Sequence, residues 1–238
     1  MKRTVIITGG TKGLGRETAL AFGRAGYNVL VLYSTDEHAA QELRVSMATA
    51  KIPGLVLRHD VRTEEASLWK RPEIQEAESL TLVHNACAAF SPVPMHQLSW
   101  PDFENNFLVA VKGAWLCSQP LIRLMIKKGH SSIVNVLTSA IEGATPKGFA
   151  AYVTAKHALQ GFTLALAAEY AARGLKIFSV SPGYMETSLT QQWDSRLRET
   201  IRANSGRLTQ PVEAAARIVA LVGSDSDTVP GRGENYPV

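Results

Sequence analysis

The 238-residue chain is short of cysteine, of net charge and of long apolar runs. Its two cysteines, Cys87 and Cys117, cannot build a disulfide framework, so a reducing cytoplasm is the expected compartment. The longest unbroken apolar runs, such as Val29–Tyr33, are far too short to cross a bilayer, and no membrane partner is expected. Met1–Gly10 does not read as a secretory leader, because its basic pair is followed only by Val5, Ile6 and Ile7 before Thr8-Gly9-Gly10. Twenty-five basic residues against 21 acidic ones give a net charge of +4. That excess is scattered, which reads as a solvated surface and not as a nucleic-acid footprint. No linker, repeat or low-complexity tract divides the chain, and no metal-ligand set stands out. With 45% hydrophobic residues, one domain over 1–238 with a sizeable core is expected, and a disordered or fibrous chain is excluded.

Short apolar, β-branched runs alternate with longer helical stretches. Thr4–Thr8, Val29–Leu32, Leu55–Leu57, Leu80–His84, Ser132–Leu137 and Lys176–Val180 are predicted strands, apolar nearly throughout, as a parallel sheet covered on both faces requires. Leu14–Ala25, Ala39–Ala50, Pro101–Lys128, Tyr152–Arg173 and Pro211–Leu221 are predicted helices. The alternation predicts an α/β fold, a doubly wound Rossmann-type parallel sheet with helices on both faces. Phe90–Trp100 and Ser188–Arg207 break the rhythm, and are either binding loops or covers for the sheet edge.

Directly after the first predicted strand comes Thr8-Gly9-Gly10-Thr11-Lys12-Gly13-Leu14-Gly15, opening a helix. Glycine permits positive φ and lets bare backbone approach a pyrophosphate at the positive end of a helix. Strand before and helix after is the context that a dinucleotide site requires.

The spacing of Gly9, Gly13 and Gly15 resembles the TGxxxGxG signature of classical short-chain dehydrogenases/reductases, and the resemblance continues to about Thr187. It implies a cofactor site built from Gly9, Thr11, Lys12, Gly13, Leu14 and Gly15. Asp60-Val61 matches the family's pair beside the adenine ring, although an Asp ending a strand is also a common helix cap. Asn85-Ala86-Cys87 resembles its strand-end NNAG motif, with Cys87 where the family has glycine. Pro182, Gly183, Met185 and Thr187 fall in a PGxxxT-like segment that the resemblance places against the nicotinamide.

The resemblance assigns the chemistry to Ser139, Tyr152 and Lys156. Tyr152 and Lys156, four residues apart, share one helix face. Ser139 stands thirteen residues before Tyr152, and is preferred to its neighbour Thr138 as the hydroxyl that orients the carbonyl oxygen. Free tyrosine has a pKa of about 10, and the Lys156 ammonium is expected to lower it towards the working range. In the family this lysine also holds the nicotinamide ribose. Ala110 stands where the family commonly has a relay asparagine, so no relay residue is assigned.

The family's NAD-preferring members carry an acid at the end of the second strand, where this chain has Tyr33 followed by Ser34 and Thr35. Asp36 falls about three residues too late. Lys12 with Ser34 suits a 2′-phosphate, so NADP is the expected cofactor, unless Lys12 only points to solvent. Phe90, Met95, Phe149, Tyr184 and Trp193 are expected to wall an apolar substrate pocket, while His96 reads as a surface residue. A lid is expected around residues 184–207. Its Arg196, Arg198, Arg202 and Arg207 point either to an anionic substrate or to a solvated helix face. The resemblance implies an NADP-dependent carbonyl reductase or alcohol dehydrogenase, similar to 3-oxoacyl-(acyl carrier protein) reductases. Its expected partners are a small-molecule carbonyl or alcohol and further copies of itself, as a homotetramer or dimer. The rival reading is a catalytically weak NADP-binding regulator or scaffold.

Overall fold

The computed structural model describes residues 2–143, 145–204, 208–224 and 228–238. Among them, β1 (Thr4–Thr8), β2 (Asn28–Tyr33), β3 (Gly54–Arg58), β4 (Leu80–His84), β5 (Ser132–Val136), β6 (Lys176–Ser181) and β7 (Arg232–Pro237) form one sheet. Its order is β3-β2-β1-β4-β5-β6-β7, and every neighbouring pair is parallel. After β3 the chain crosses back over β1 to start β4. That switch leaves a crevice outside the carboxyl ends of β1 and β4, where ligands of such sheets bind.

The helices are α1 (Gly13–Arg24), α2 (Glu37–Thr49), the single-turn α3 (Ala66–Trp69) and α4 (Pro72–Gln75), α5 (Trp100–Phe107), α6 (Gly113–Ser118), α7 (Ile122–Lys128), α8 (Ala150–Tyr170), the short α9 (Ser188–Gln191), α10 (Ser195–Asn204) and α11 (Pro211–Gly223). Side chains alternate across each strand. Val5, Ile7, Val29, Val31, Val134 and Phe178 therefore face one buried layer with Phe22 of α1, Leu43 of α2 and Ile218 of α11. Ile6, Leu30, Leu32, Leu82, Ile133 and Ile177 face the other, with Cys117, Leu121, Met125 and Leu166. Burying both faces explains why the strands read as unbroken apolar runs.

Two predicted elements need correction. The helix expected over Pro101–Lys128 is interrupted twice. A π-turn at Leu108–Lys112 follows α5, and a break after Ser118 separates α6 from α7. Pro120 lies in that break and has no N–H to donate, which accounts for it. The strand expected to run to Leu137 ends at Val136, which alters the register of the residues that follow. The C-terminal segment pairs with β6 as β7, through a register shift between Ile177 and Ser179. No described helix is long and apolar enough to cross a membrane.

His84 closes β4 in a fully buried position, where its Nε2 meets the Ser118 hydroxyl at 2.8 Å. Burial disfavours the imidazolium and pushes its pKa down to about 3. An unfolded chain therefore takes up this proton at about pH 6.5, before the folded one can. The resulting stability is complete above that pH and is lost as pH falls towards 3. Denaturant titrations are expected to show about 1.4 kcal/mol of lost stability per pH unit from this group below pH 6. Between pH 6.5 and 5.5 the slope should be visibly flatter in His84→Gln than in the natural protein.

Candidate active site

The crevice predicted by the strand order is a groove of about 510 Å³ running over the carboxyl ends of β1, β2, β4 and β5. Its floor is the turn from Gly9 to Gly15. Gly9 and Gly13 adopt φ of +62° and +52°, a region that suits glycine. At Gly15 a Cβ atom would lie 2.4 Å from Asn85 Nδ2 and 2.5 Å from the Gly9 carbonyl oxygen. No side chain caps the start of α1 and no acidic residue lies in its first turn, so its positive end faces the groove unneutralised. This cradle of bare backbone fits a pyrophosphate. Thr11, Lys12, Gly13, Leu14 and Gly15 line it as expected.

Asn85 lines the groove too, but its amide is committed to the protein. Its Nδ2 donates to Thr8 O at 3.1 Å and to Gly9 O at 2.9 Å. In return, Thr8 Oγ1 accepts from the backbone N–H groups of Asn85 and Ala86 at 3.1 and 3.0 Å. Four hydrogen bonds thus tie the end of β1 to the end of β4. Asn85 shapes the cradle and presents Ala86 and Cys87 along its edge.

The outer end of the groove differs from the sequence expectation in two contacts. Lys12 Nζ meets Asp36 Oδ2 at 2.7 Å. Asp36, counted as too far along the chain, is brought back by capping α2, where Oδ1 accepts from Ala39 N–H at 2.9 Å. Asp60 and Val61 do line the groove, yet the Asp60 carboxylate is gripped by the Arg62 guanidinium, with contacts from 2.6 to 3.1 Å. That hydrogen bonding holds Asp60 below the usual carboxylate range. Sequence reasoning missed Arg62, whose only signal was its position two residues after Asp60.

At the inner end, Tyr152 and Lys156 lie on the face of α8 that looks into the groove. Lys156 is buried and donates to Val136 O at 2.6 Å, with Nζ 5.7 Å from the centre of the Tyr152 ring. Burial lowers its pKa, and the Cys87 thiol beside it opposes that shift. For Tyr152, burial and Cys87 raise the pKa and outweigh the Thr138 hydroxyl, which lowers it. The phenol therefore stands in its protonated form, and the lowering expected from Lys156 does not govern it here. The hydroxyl neighbour of Tyr152 is Thr138, which lines the groove. Ser139 is exposed, starts a 3₁₀ turn and gives its backbone N–H to Pro182 O at 2.9 Å. Counting back from Tyr152 selects Ser139, whereas counting forward from the true end of β5 at Val136 would have drawn attention to Thr138.

Ala110 lies buried inside the π-turn and has no polar side-chain atom to hold a water. Pro182, Gly183, Met185 and Thr187 line the groove after β6, with Thr187 opening α9. Above Tyr152 sits an aromatic cluster. The Phe90 ring stacks on the Tyr152 ring at 4.8 Å and 14°. Phe149 and Trp193 approach Phe90 at 5.3 and 5.2 Å, and Trp193 Nε1 donates to Phe90 O at 2.9 Å. Tyr184 stacks on Trp193. Of the five expected wall residues only Met95 is absent, since it is exposed to solvent, as is His96. Arg202 pairs with Glu186 at 3.5 Å, and Arg207 lies outside the described residues. Among the described residues no group of three or more acidic, histidine or cysteine side chains could hold a metal ion.

Gly15→Ala must push Asn85 or the Gly9 carbonyl aside. It is expected to weaken dinucleotide binding at least about tenfold in calorimetric titration, the scale of one misplaced charge-assisted hydrogen bond.

Residues 3–198 match the family model for short chain dehydrogenases. The chain is 29% identical to the cis-4-hydroxycyclohexanecarboxylate dehydrogenase of Sinomonas cyclohexanicum, over 97% of this chain and 93% of that one. It is 28% identical to the 3-oxoacyl-[acyl-carrier-protein] reductase of Pseudomonas aeruginosa, over 98% and 97% of the two chains. A Beutenbergia cavernae protein solved with NADP bound at low occupancy superimposes with a TM-score of 0.85 at 26% identity, over 99% and 94% of the chains. The groove, its glycine floor and this extended match together establish that the chain belongs to the short chain dehydrogenase family, oxidoreductases that bind NAD(P).

Proposed function

We propose that the protein is an NADP-dependent carbonyl reductase that interconverts a small carbonyl compound and its secondary alcohol. One observation carries the reading. The Tyr152 phenol, the Thr138 hydroxyl and the Lys156 ammonium converge on the groove whose floor is the glycine turn. The cofactor, when bound, supplies the hydride that the carbonyl carbon accepts.

The chain's own groups do the rest. The turn from Gly9 to Gly15 and the start of α1 hold the pyrophosphate, and the segment Pro182–Thr187 lines the nicotinamide end. Tyr152 gives its phenolic proton to the carbonyl oxygen as negative charge develops there. Thr138 Oγ1 donates a hydrogen bond that orients the same oxygen, the role first expected of Ser139. Lys156, buried beside Tyr152, favours the phenolate left behind and would hold the nicotinamide ribose. In the oxidative direction the phenolate takes the proton back. The raised pKa of Tyr152 in the chain alone fits the proton-donor form needed for reduction.

The aromatic cluster of Phe90, Phe149, Trp193 and Tyr184 supports an apolar or ring-bearing substrate. The segment carrying α9 and α10 is its lid, since Trp193 hangs from it onto Phe90. The Sinomonas relative is named for an alicyclic alcohol, which accords with such walls. Basic Lys12 at the outer end, with Ser34 and Thr35 beside it, supports NADP. The exposed apolar side chains Phe107, Trp115 and Leu164, on α5, α6 and α8, support a homodimer or homotetramer in the cytoplasm.

Steady-state assays with NADPH against a panel of ketones, diketones and acyl thioesters test the reading. Tyr152→Phe should lose about 100- to 10,000-fold in kcat while its dinucleotide affinity changes little. Thr138→Val should lose about 100-fold or more, with Ser139→Ala close to the natural protein. Full activity in Tyr152→Phe would overturn the mechanism, and the reverse ranking of the two hydroxyl variants would return the role to Ser139.

A further inference from the structure

The glycine turn from Thr8 to Gly15 contains one basic side chain, Lys12. Its ammonium is the charge that a 2′-phosphate would seek at the outer end of the groove. In the structure that charge is already engaged by Asp36 at 2.7 Å, and both residues line the groove. Asp36 is held from two sides, with Oδ1 on Ala39 N–H and Oδ2 on Lys12 Nζ.

The neighbouring charges do not undo this pairing. Glu37, the next acid, is turned onto the Tyr33 hydroxyl and Arg44. Arg58 on β3 donates its Nε to Ser34 O at 3.1 Å, which braces the Ser34–Thr35 backbone from below. Seen from the groove, the Ser34–Asp36 turn thus presents two hydroxyl-bearing residues and a neutralised ion pair. The pair also borders a second cavity on its far side, lined by Arg16, His38, Glu42 and Glu186. Lys12 and Asp36 are 48% and 39% exposed, so the contact is weak in itself and has room to open.

We propose that Asp36 sets the cofactor choice of this protein: by occupying Lys12 it withholds that cation from a 2′-phosphate, so that NADPH and NADH are both accepted with a modest preference for NADPH. The proposal rests on the cofactor groove assigned above. A 2′-phosphate dianion must part the pair and then tolerate the released carboxylate, whereas a ribose with a free 2′-hydroxyl leaves the pair intact. Like charges brought together in a binding site are a recognised source of discrimination. The residue judged too late in the chain to contact the ribose thus acts through the lysine.

Asp36→Asn tests this cleanly, because asparagine caps a helix about as well as aspartate and only the charge is removed. Dissociation constants for NADPH and NADH are measured by calorimetry on the natural protein, Asp36→Asn, Lys12→Met and the double variant. In Asp36→Asn, NADPH is expected to tighten about tenfold while NADH stays within about twofold, the scale of one unfavourable charge contact. Lys12→Met should weaken NADPH, and the double variant should fail to recover the gain of Asp36→Asn. An unchanged ratio of the two constants in Asp36→Asn would overturn the proposal and leave the groove assignment standing. A ratio that rises through weaker NADH binding would make Asp36 a ribose ligand and overturn the ion pair as the cause. Failure of the natural protein to bind either dinucleotide would overturn the groove assignment itself, and the proposal with it.

Discussion

The site depends on the hydrogen bonds that fasten the end of β1 to the end of β4. Thr8 and Asn85 exchange side-chain and backbone contacts across the two strands, and the Asn85 amide reaches on to the Gly9 carbonyl. This clamp can form only because Gly15 has no side chain to occupy the space between Asn85 and Gly9. The open cradle, the free start of α1 and the path of Ala86 and Cys87 along the groove all follow from it. A polar side chain that shapes a binding turn in this way contributes to binding without itself needing to touch the ligand.

The opposite end is governed by desolvation. Lys156 and Tyr152 are packed under Phe90, Phe149 and Trp193, where burial lowers the amine's pKa and raises the phenol's. Both shifts favour neutral groups, the state expected before a charged ligand arrives. The Cys87 thiol, pushed up by its own burial, adds a neutral neighbour in the place where the family has glycine. The substrate side is equally dry, since the rings above Tyr152 contact one another and the Trp193 indole spends its N–H on a backbone carbonyl. Polarity is concentrated instead at the outer end, where Lys12, Asp36, Asp60 and Arg62 pair among themselves.

The architecture was legible in the chain because its signals are local. Strands buried on both faces must be apolar throughout, and β1 and β4 match their predicted bounds residue for residue. The glycine turn announced the groove for the same reason, since close backbone approach admits no other residue. Less legible were the breaks in the long helix before β5. Pro120 is visible in the sequence, but the π-turn around Ala110 has no comparable local mark.

The sequence by itself determined the doubly wound sheet, the groove floor and the pairing of Tyr152 with Lys156 on one helix face, because each follows from a repeat of two, a helical spacing of four, or the absence of a Cβ. Only the tertiary structure decided which hydroxyl faces the phenol, which acid holds Lys12 and which cation holds Asp60. Those choices turn on where a strand ends to within one residue and on how a helix cap swings its carboxylate, and neither is encoded in a spacing along the chain.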